Sequence, residues 1–215
     1  MYPPTRSHCS QRIIGLTGGI AMGKTTVSNY LASRHQLPIL DADIYARDAV
    51  QPGTPVLEAL IERYGTGLLL ADGSLNRPRL GEIIFNSPAE RLWVEQCIHP
   101  YVRDRLVAAS TMPPLNQATE YPTLVMVIPL LFEARMTDLV TETWVVVCAE
   151  AEQLERLMKR DRLTLDQAKL RIQSQMAISK KIARADVVLN NSASLSDLRK
   201  QIDAQLLRQP SGASS

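Results

Sequence analysis

Residues 18–25 read Gly18-Gly19-Ile20-Ala21-Met22-Gly23-Lys24-Thr25. The spacing is G-x-x-x-x-G-K-[ST], in which the glycines let backbone N–H groups close around phosphate oxygens. Lys24 is expected to reach the β- and γ-phosphates, and the Thr25 hydroxyl to bind Mg²⁺. The candidate nucleotide-binding residues are therefore Gly18, Gly19, Ile20, Ala21, Met22, Gly23, Lys24, Thr25 and Thr26. The flanks suit this reading. Residues 12–17 read as a short buried strand, and residues 25–34 as a helix whose positive N-terminal end faces the anion. The competing reading is a glycine-rich structural turn, which the strand before and the helix behind weaken.

Working outward, four more apolar runs read as buried strands: residues 38–40, 124–128, 143–148 and 186–189. They are rich in Ile, Val and Leu and do not alternate with polar residues, as in a parallel sheet covered on both faces. Helical patterns at 25–34, 152–160 and 166–177 separate them, which predicts an α/β doubly wound fold with a five-stranded parallel sheet. Between the second and third strands, residues 44–121 hold no convincing strand. They hold helical patterns at 56–63, 77–86 and 89–109, with Pro88 after Ser87 as a helix start and His99-Pro100 closing a helical stretch. This predicts a helical insertion over a second substrate; the alternative is a bundle without a ligand.

Composition narrows the class. The 215 residues are 45% hydrophobic and carry a net charge of +2, enough apolar content for a sizeable core and too little charge for a nucleic-acid surface. The three cysteines, Cys9, Cys97 and Cys148, lie far apart without metal spacing, so reduced thiols and a cytoplasmic protein are expected. Cys148 ends an apolar run and reads as a core residue. The longest apolar stretch, 121–132, contains Pro122 and Pro129 and is too short to span a membrane. Residues 1–11 and 209–215 read as a disordered extension and a flexible tail.

Two constellations carry further chemistry. Asp41-Ala42-Asp43 follows the second strand, and ligands of parallel sheets bind outside the carboxyl ends of the strands. Alternate strand residues share a face, so both carboxylates could point one way, one taking a proton from an attacking hydroxyl and one holding Mg²⁺. The competing reading of such a pair is a helix N-cap or turn. Residues 152–185 carry Arg156, Lys159, Arg160, Arg162, Lys169, Arg171, Lys180, Lys181 and Arg184. Arg156 and Arg160 are four apart and share one helix face, where two guanidiniums suit a triphosphate; an ordinary solvated face is the alternative. Pro129-Leu130-Leu131-Phe132-Glu133 ends the third strand on the ligand edge, with Glu133 a turn residue or a substrate contact. His99 suits packing or a helix end better than a ligand role. The Asp-Glu strand end of motor ATPases and the Asn-Lys-x-Asp guanine signature are absent, which leaves a small-molecule kinase.

These segments together resemble the dephospho-coenzyme A kinase family of P-loop kinases. The matching pieces are Ile14-Gly15-Leu16-Thr17-Gly18-Gly19-Ile20 into Gly23-Lys24-Thr25-Thr26, Asp41-Ala42-Asp43, Ile98-His99-Pro100 and Pro129-Leu130-Leu131-Phe132-Glu133. They continue with Gln153, Arg156, Arg160-Asp161, Gln175, Ala185-Asp186 and Asn190-Asn191. The resemblance implies a P-loop NTPase-type three-layer α/β fold with a helical substrate-binding insertion and a helical lid. It implies a nucleotide-binding core at 12–43, 121–150 and 185–208, an acceptor region at 44–120 and a lid at 151–184. The implied reaction is phosphorylation of the ribose 3′-hydroxyl of 3′-dephospho-CoA by ATP, the final step of coenzyme A synthesis, with Mg²⁺. Asp43 resembles the catalytic base, beside Asp41 as a metal-side carboxylate with Thr25. Lys24 and Arg160 match residues near the transferred phosphoryl group, with Arg156 in support, and Asn191 lies in a segment near the adenine. The implied partner is this small molecule alone, with no nucleic acid or membrane, in a monomer or weak homo-oligomer. The chain departs from the family where Ala21-Met22 replaces Gly-Ser, at Asn190 for Asp and at Ser192 for Gly. A monophosphate kinase and a slowly hydrolysing nucleotide switch are the rival readings.

Overall fold

The computed structural model describes residues 11–112 and 123–208. The expected extension (Gln11 apart) and tail, with Cys9, Tyr121 and Pro122, lie outside the described residues. In chain order the elements are β1 (Arg12–Gly18), α1 (Lys24–His35), β2 (Ile39–Asp41), α2 (Ala42–Asp48), α3 (Pro55–Tyr64), α4 (Arg77–Asn86) and α5 (Pro88–Thr111). They continue with β3 (Thr123–Val127), β4 (Glu142–Val147), α6 (Glu150–Asp161), α7 (Leu165–Gln173), α8 (Ile178–Ile182), β5 (Val187–Asn190) and α9 (Leu195–Leu206). The chain forms two compact units, Met1–Leu40 with Ser110–Ser215, and Asp41–Ala109.

The five strands lie in the order β2-β3-β1-β4-β5. β1 runs parallel to β3 and to β4, with Leu16 opposite both Val127 and Trp144, and β4 runs parallel to β5. One face of the sheet presents Ile14, Leu16, Val125, Val127, Trp144, Val146, Val187 and Leu189 to Val27 and Leu31 of α1 and Leu198 and Ile202 of α9. Leu124, Met126 and Val145 on the alternate positions are buried too, which explains the unbroken apolar runs. Each such side chain contributes about 1.5–3 kcal/mol when fully buried. The chain leaves β1 toward one edge of the sheet and β4 toward the other. That reversal opens a crevice at the carboxyl ends of these central strands, where residues 18–25 begin.

The second unit has its own core of Val56, Leu57, Leu60, Leu68, Leu75, Leu80 and Val94. Glu90 of α5 accepts two hydrogen bonds from Arg63 of α3, at 2.8 and 2.9 Å, and one from the Tyr64 hydroxyl. These donors hold the Glu90 carboxyl down at about 2, Arg63 first and Tyr64 second. The Arg63 guanidinium also lies 4.4 Å from the Trp93 ring centre, so one cluster ties α3 to α5.

Every expected strand is present within about one residue of its expected bounds, the usual slack of element ends. Two expectations about the helices and one about a strand end fail for physical reasons. His99-Pro100 does not close a helix, because α5 runs on to Thr111. Pro100 is exposed, so the carbonyl that its missing N–H leaves behind can be hydrated. The helix expected over 166–177 stops at Gln173, since the Met176 N–H donates instead to Glu133 Oε1 at 3.1 Å, and α8 starts afresh. Asp43 is not on a strand: β2 ends at Asp41, and Asp43 lies in the first turn of α2. The sequence reading also assigns no helix to α2 or α9, although Ser194 caps α9 by accepting from Asp197 N–H. Cys97 and Cys148 are free thiols, half-buried rather than fully in the core, and burial pushes both up from the usual thiol range.

Candidate functional site

The loop between β1 and α1 takes its shape from backbone demands at two glycines. Gly18, at φ +146, has Val146 of β4 so close that a Cβ would overlap its carbonyl. Gly23, the residue before α1, sits at φ +104 against the side-chain amide of Asn191, which leaves no room for a Cβ. Ala21 takes φ +59, a left-handed conformation that costs a residue with a Cβ about 1–2 kcal/mol. Lys24 curls back along the loop, donating from Nζ to the carbonyls of Gly18 and Gly19 at 3.0 and 2.9 Å. The Met22 side chain turns inward and is 2% exposed. Thr25 and Thr26, in the first turn of α1, are exposed.

A cavity of about 810 Å³ opens above this loop. Its wall combines Ile20, Ala21, Gly23, Lys24, Thr25 and Thr26 with Arg156, Lys159 and Arg160 of α6, and with Pro129, Gln175, Asn191, Ala193 and Leu195. The structure thus brings the loop and the two sequence-selected arginines together. Of the loop residues expected to bind nucleotide, Gly18, Gly19 and Met22 do not line the cavity; they shape the loop from beneath, through carbonyls and a buried side chain. The first-turn N–H groups of α1 add positive potential at the floor.

The arginines carry carboxylate partners. Arg156 donates to Glu152 at 2.8 Å and to the Asn191 carbonyl at 3.2 Å. Arg160 makes a fork with Asp161, at 2.8 and 3.1 Å, and Arg171 meets the same carboxylate at 2.7 Å. The bond from Arg160 holds Asp161 below the usual carboxylate range and pushes Arg160 up. Lys181, one of the cations the sequence assigns to this region, is fully buried and belongs to the framework instead. Its Nζ donates to the Pro129 carbonyl and pairs with Glu133, each at 2.9 Å. Glu133, left open between turn and substrate contact, is therefore engaged at the end of β3.

Asn191 holds the loop in place: its backbone N–H donates to Val147 at 2.7 Å, and its Nδ2 donates to the Met22 carbonyl at 3.0 Å. The departures beside it are absorbed. Asn190 Oδ1 accepts from Ser192 N–H, a task an aspartate performs equally well, and the Ser192 hydroxyl accepts from Ala149 N–H. Asp41 and Asp43 belong to the second unit. Asp41 caps α2, its Oδ1 accepting from Asp43 N–H at 2.9 Å, and the Asp43 side chain is exposed. His99 is half-buried within α5. Among the described residues no group of three or more His, Cys, Asp or Glu is placed to hold a metal ion.

Sequence reasoning gave no role to Gln153 and Gln175. Both touch the loop at Ile20. The available signal was that both stand among the residues that carry the family resemblance, which attached no role to them.

A phosphate loop rising from the central strand of a parallel sheet into a cavity walled by arginines defines a nucleotide-dependent kinase of the P-loop class. Within that class the comparisons are specific. A model of the dephospho-CoA kinase family matches residues 12–197, and the chain belongs to that family. It is 62% identical over 197 residues to a dephospho-CoA kinase of Trichormus variabilis, covering 92% of this chain and 97% of the relative. It is 51% identical over 192 residues to the Synechocystis enzyme of the same name, covering 89% and 93%. Among solved structures, dephospho-CoA kinase from Campylobacter jejuni superposes with a TM-score of 0.68 at 26% identity, covering 95% of this chain and all of that one.

Proposed function

We propose that this chain transfers the γ-phosphoryl group of ATP to the ribose 3′-hydroxyl of 3′-dephospho-CoA, releasing CoA and ADP in the final step of coenzyme A synthesis. The observation that carries the reading is the cavity in which the phosphate loop faces Arg156, Lys159 and Arg160.

Phosphoryl transfer asks a protein mainly for positioning and neutralisation of charge. In this reading the β- and γ-phosphates lie over the first turn of α1, and Lys24 leaves the Gly18 and Gly19 carbonyls to meet them. The exposed Arg156 and Arg160 trade their half-buried carboxylate partners, Glu152 and Asp161, for phosphate oxygens. Asp43 takes the proton of the 3′-hydroxyl as the O3′–Pγ bond forms. The bond from Pγ to the β–γ bridging oxygen breaks, and ADP carries off the negative charge. Asn191 stands on the adenine side. Residues 44–120 hold the acceptor, and residues 151–184 act as a lid that excludes competing water.

The donor set suits Mg²⁺. This cation commonly takes one or two protein oxygens together with substrate phosphates, and the exposed Thr25 hydroxyl beside the loop is such an oxygen. Thr25 would hold the ion with support from Asp41, and bound there it would neutralise charge developing on the phosphates. No helix among the described residues is long and apolar enough to cross a membrane. A cytoplasmic monomer or weak homo-oligomer acting on a small molecule fits this activity.

The test is ADP release from ATP and Mg²⁺, offering dephospho-CoA, AMP, CMP, adenosine or no acceptor. Release only with dephospho-CoA, matched by CoA formed in equal amount, is expected. Release with a monophosphate would overturn the acceptor assignment.

A further inference from the structure

Ile20 is gripped at both of its backbone polar atoms, which lie on two adjacent peptide planes, by side chains from distant parts of the chain. Its N–H donates to Gln175 Oε1 at 2.9 Å, and its carbonyl accepts from Gln153 Nε2 at 2.9 Å. With the Gly19–Ile20 plane held at its N–H and the Ile20–Ala21 plane held at its carbonyl, neither rotates without breaking a hydrogen bond, and in a loop such rotation would swing the neighbouring amides. Ile20 lies directly before Ala21, which already occupies a strained conformation. Gln153 is 3% exposed and lies close under Gly19, where a Cβ would come within 3.0 Å of its Nε2.

The two glutamines are themselves anchored. Gln153 lies on α6 three and seven residues before Arg156 and Arg160, so all three share one side of the helix. Bonding Gln153 to the loop sets the rotation and height of α6 that present both arginines to the cavity. Gln175 is placed from the other side. The next residue, Met176, donates its N–H to Glu133 Oε1, and Glu133 is held by the fully buried Lys181. A continuous polar path therefore runs from the end of β3 through Glu133 and Gln175 to the phosphate loop, and on through Gln153 to the arginines.

We propose that Gln153 and Gln175 are positioning residues, which lock the two peptide planes flanking Ile20 and thereby set the phosphate loop and the α6 arginines in register with each other. The inference rests on the reading of the cavity as the nucleotide site. It requires a donor at position 153 and an acceptor at position 175, which simple packing would not.

The experiment uses the full chain carrying Gln153→Met, Gln153→Glu, Gln175→Met or Gln175→Glu. It reads ADP affinity by titration calorimetry, kcat and KM for ATP, and the thermal midpoint. Both substitutions at 153 remove the donor. They are expected to lower kcat/KM for ATP by about tenfold to hundredfold, the scale of a small misplacement of reacting groups, with the thermal midpoint moved by only a few degrees. Gln175→Glu keeps an acceptor and is expected to retain more of kcat than Gln175→Met. Adding Gln153→Met to an Arg160→Met chain is expected to cost far less than adding it to the wild type, because the arginine it places is gone. A lowered midpoint with kcat and KM unchanged, equal effects of Met and Glu at 175, or additive losses in the double variant would overturn the proposal. A wild-type chain that binds ADP but phosphorylates no dephospho-CoA overturns the acceptor reading only, and the glutamines are then judged on ADP affinity. A chain that binds no ADP overturns both.

Discussion

Replacing Ala21 with glycine should make the chain more stable, which is unusual for a substitution inside a ligand-binding loop. Ala21 sits at φ +59, where its Cβ crowds the backbone. The left-handed region costs a non-glycine residue about 1–2 kcal/mol. Glycine removes that cost but gives the unfolded chain more freedom, which takes back about 0.4–1 kcal/mol. The net is a gain of about 0–1.6 kcal/mol, or a rise of up to roughly 6 °C in Tm for a protein of this size. Valine at the same position should do the opposite, losing more than about 1 kcal/mol, because a β-branched side chain tolerates positive φ worst. The assay is urea and thermal unfolding of wild type, Ala21→Gly and Ala21→Val in parallel. Glycine below wild type with valine unchanged would refute the reasoning, since the loop would then not hold this conformation in solution.

Three further outcomes are expected. Asp43→Asn should leave ADP affinity nearly unchanged and lower kcat by about 10² to 10⁴, the range for loss of a general base; full activity would remove Asp43 from that role. Chelation with EDTA should abolish acceptor-dependent ADP release, and added Mg²⁺ should restore it; turnover that survives chelation would exclude the ion at Thr25. Glu90 titrates at about 2 in the folded chain against 4.5 ordinarily, so its contribution to stability is complete above pH 4.5 and is lost as pH falls toward 2. The Tm gap between wild type and Glu90→Gln should therefore be widest near pH 6 and close in acid, whereas a gap independent of pH would deny the cluster this role.

Much of the architecture was legible because buried parallel strands leave a direct mark. Runs such as Leu124-Val125-Met126-Val127 are apolar at every position only when both faces are covered. The loop was legible for a similar reason, since few residue types besides Gly, Lys and Thr meet its backbone and charge demands. Asp41-Ala42-Asp43 was ambiguous, because aspartate serves a strand end and an N-cap equally well. The cap prevailed at Asp41, with its side chain turned to the Asp43 N–H. The pattern over 166–177 was helical, yet Gln175 and Met176 leave the helix for partners on β1's loop and at Glu133.

By itself the amino-acid order determined the sheet, the phosphate loop and the pair of arginines on one helix face, because each rests on local geometry or on a short repeat of burial. Only the tertiary structure decided which polar residues serve the cavity and which serve the frame. Lys181 and Arg160 are both cations of one segment, but one is sealed against Glu133 and Pro129 while the other faces the cavity. Gln153 and Gln175 gain their importance from a single residue, Ile20, 133 and 155 residues away. A side chain's hydrogen-bonding capacity is written in its residue type, but its partner is chosen by packing between elements remote in the chain, and no local pattern records that choice.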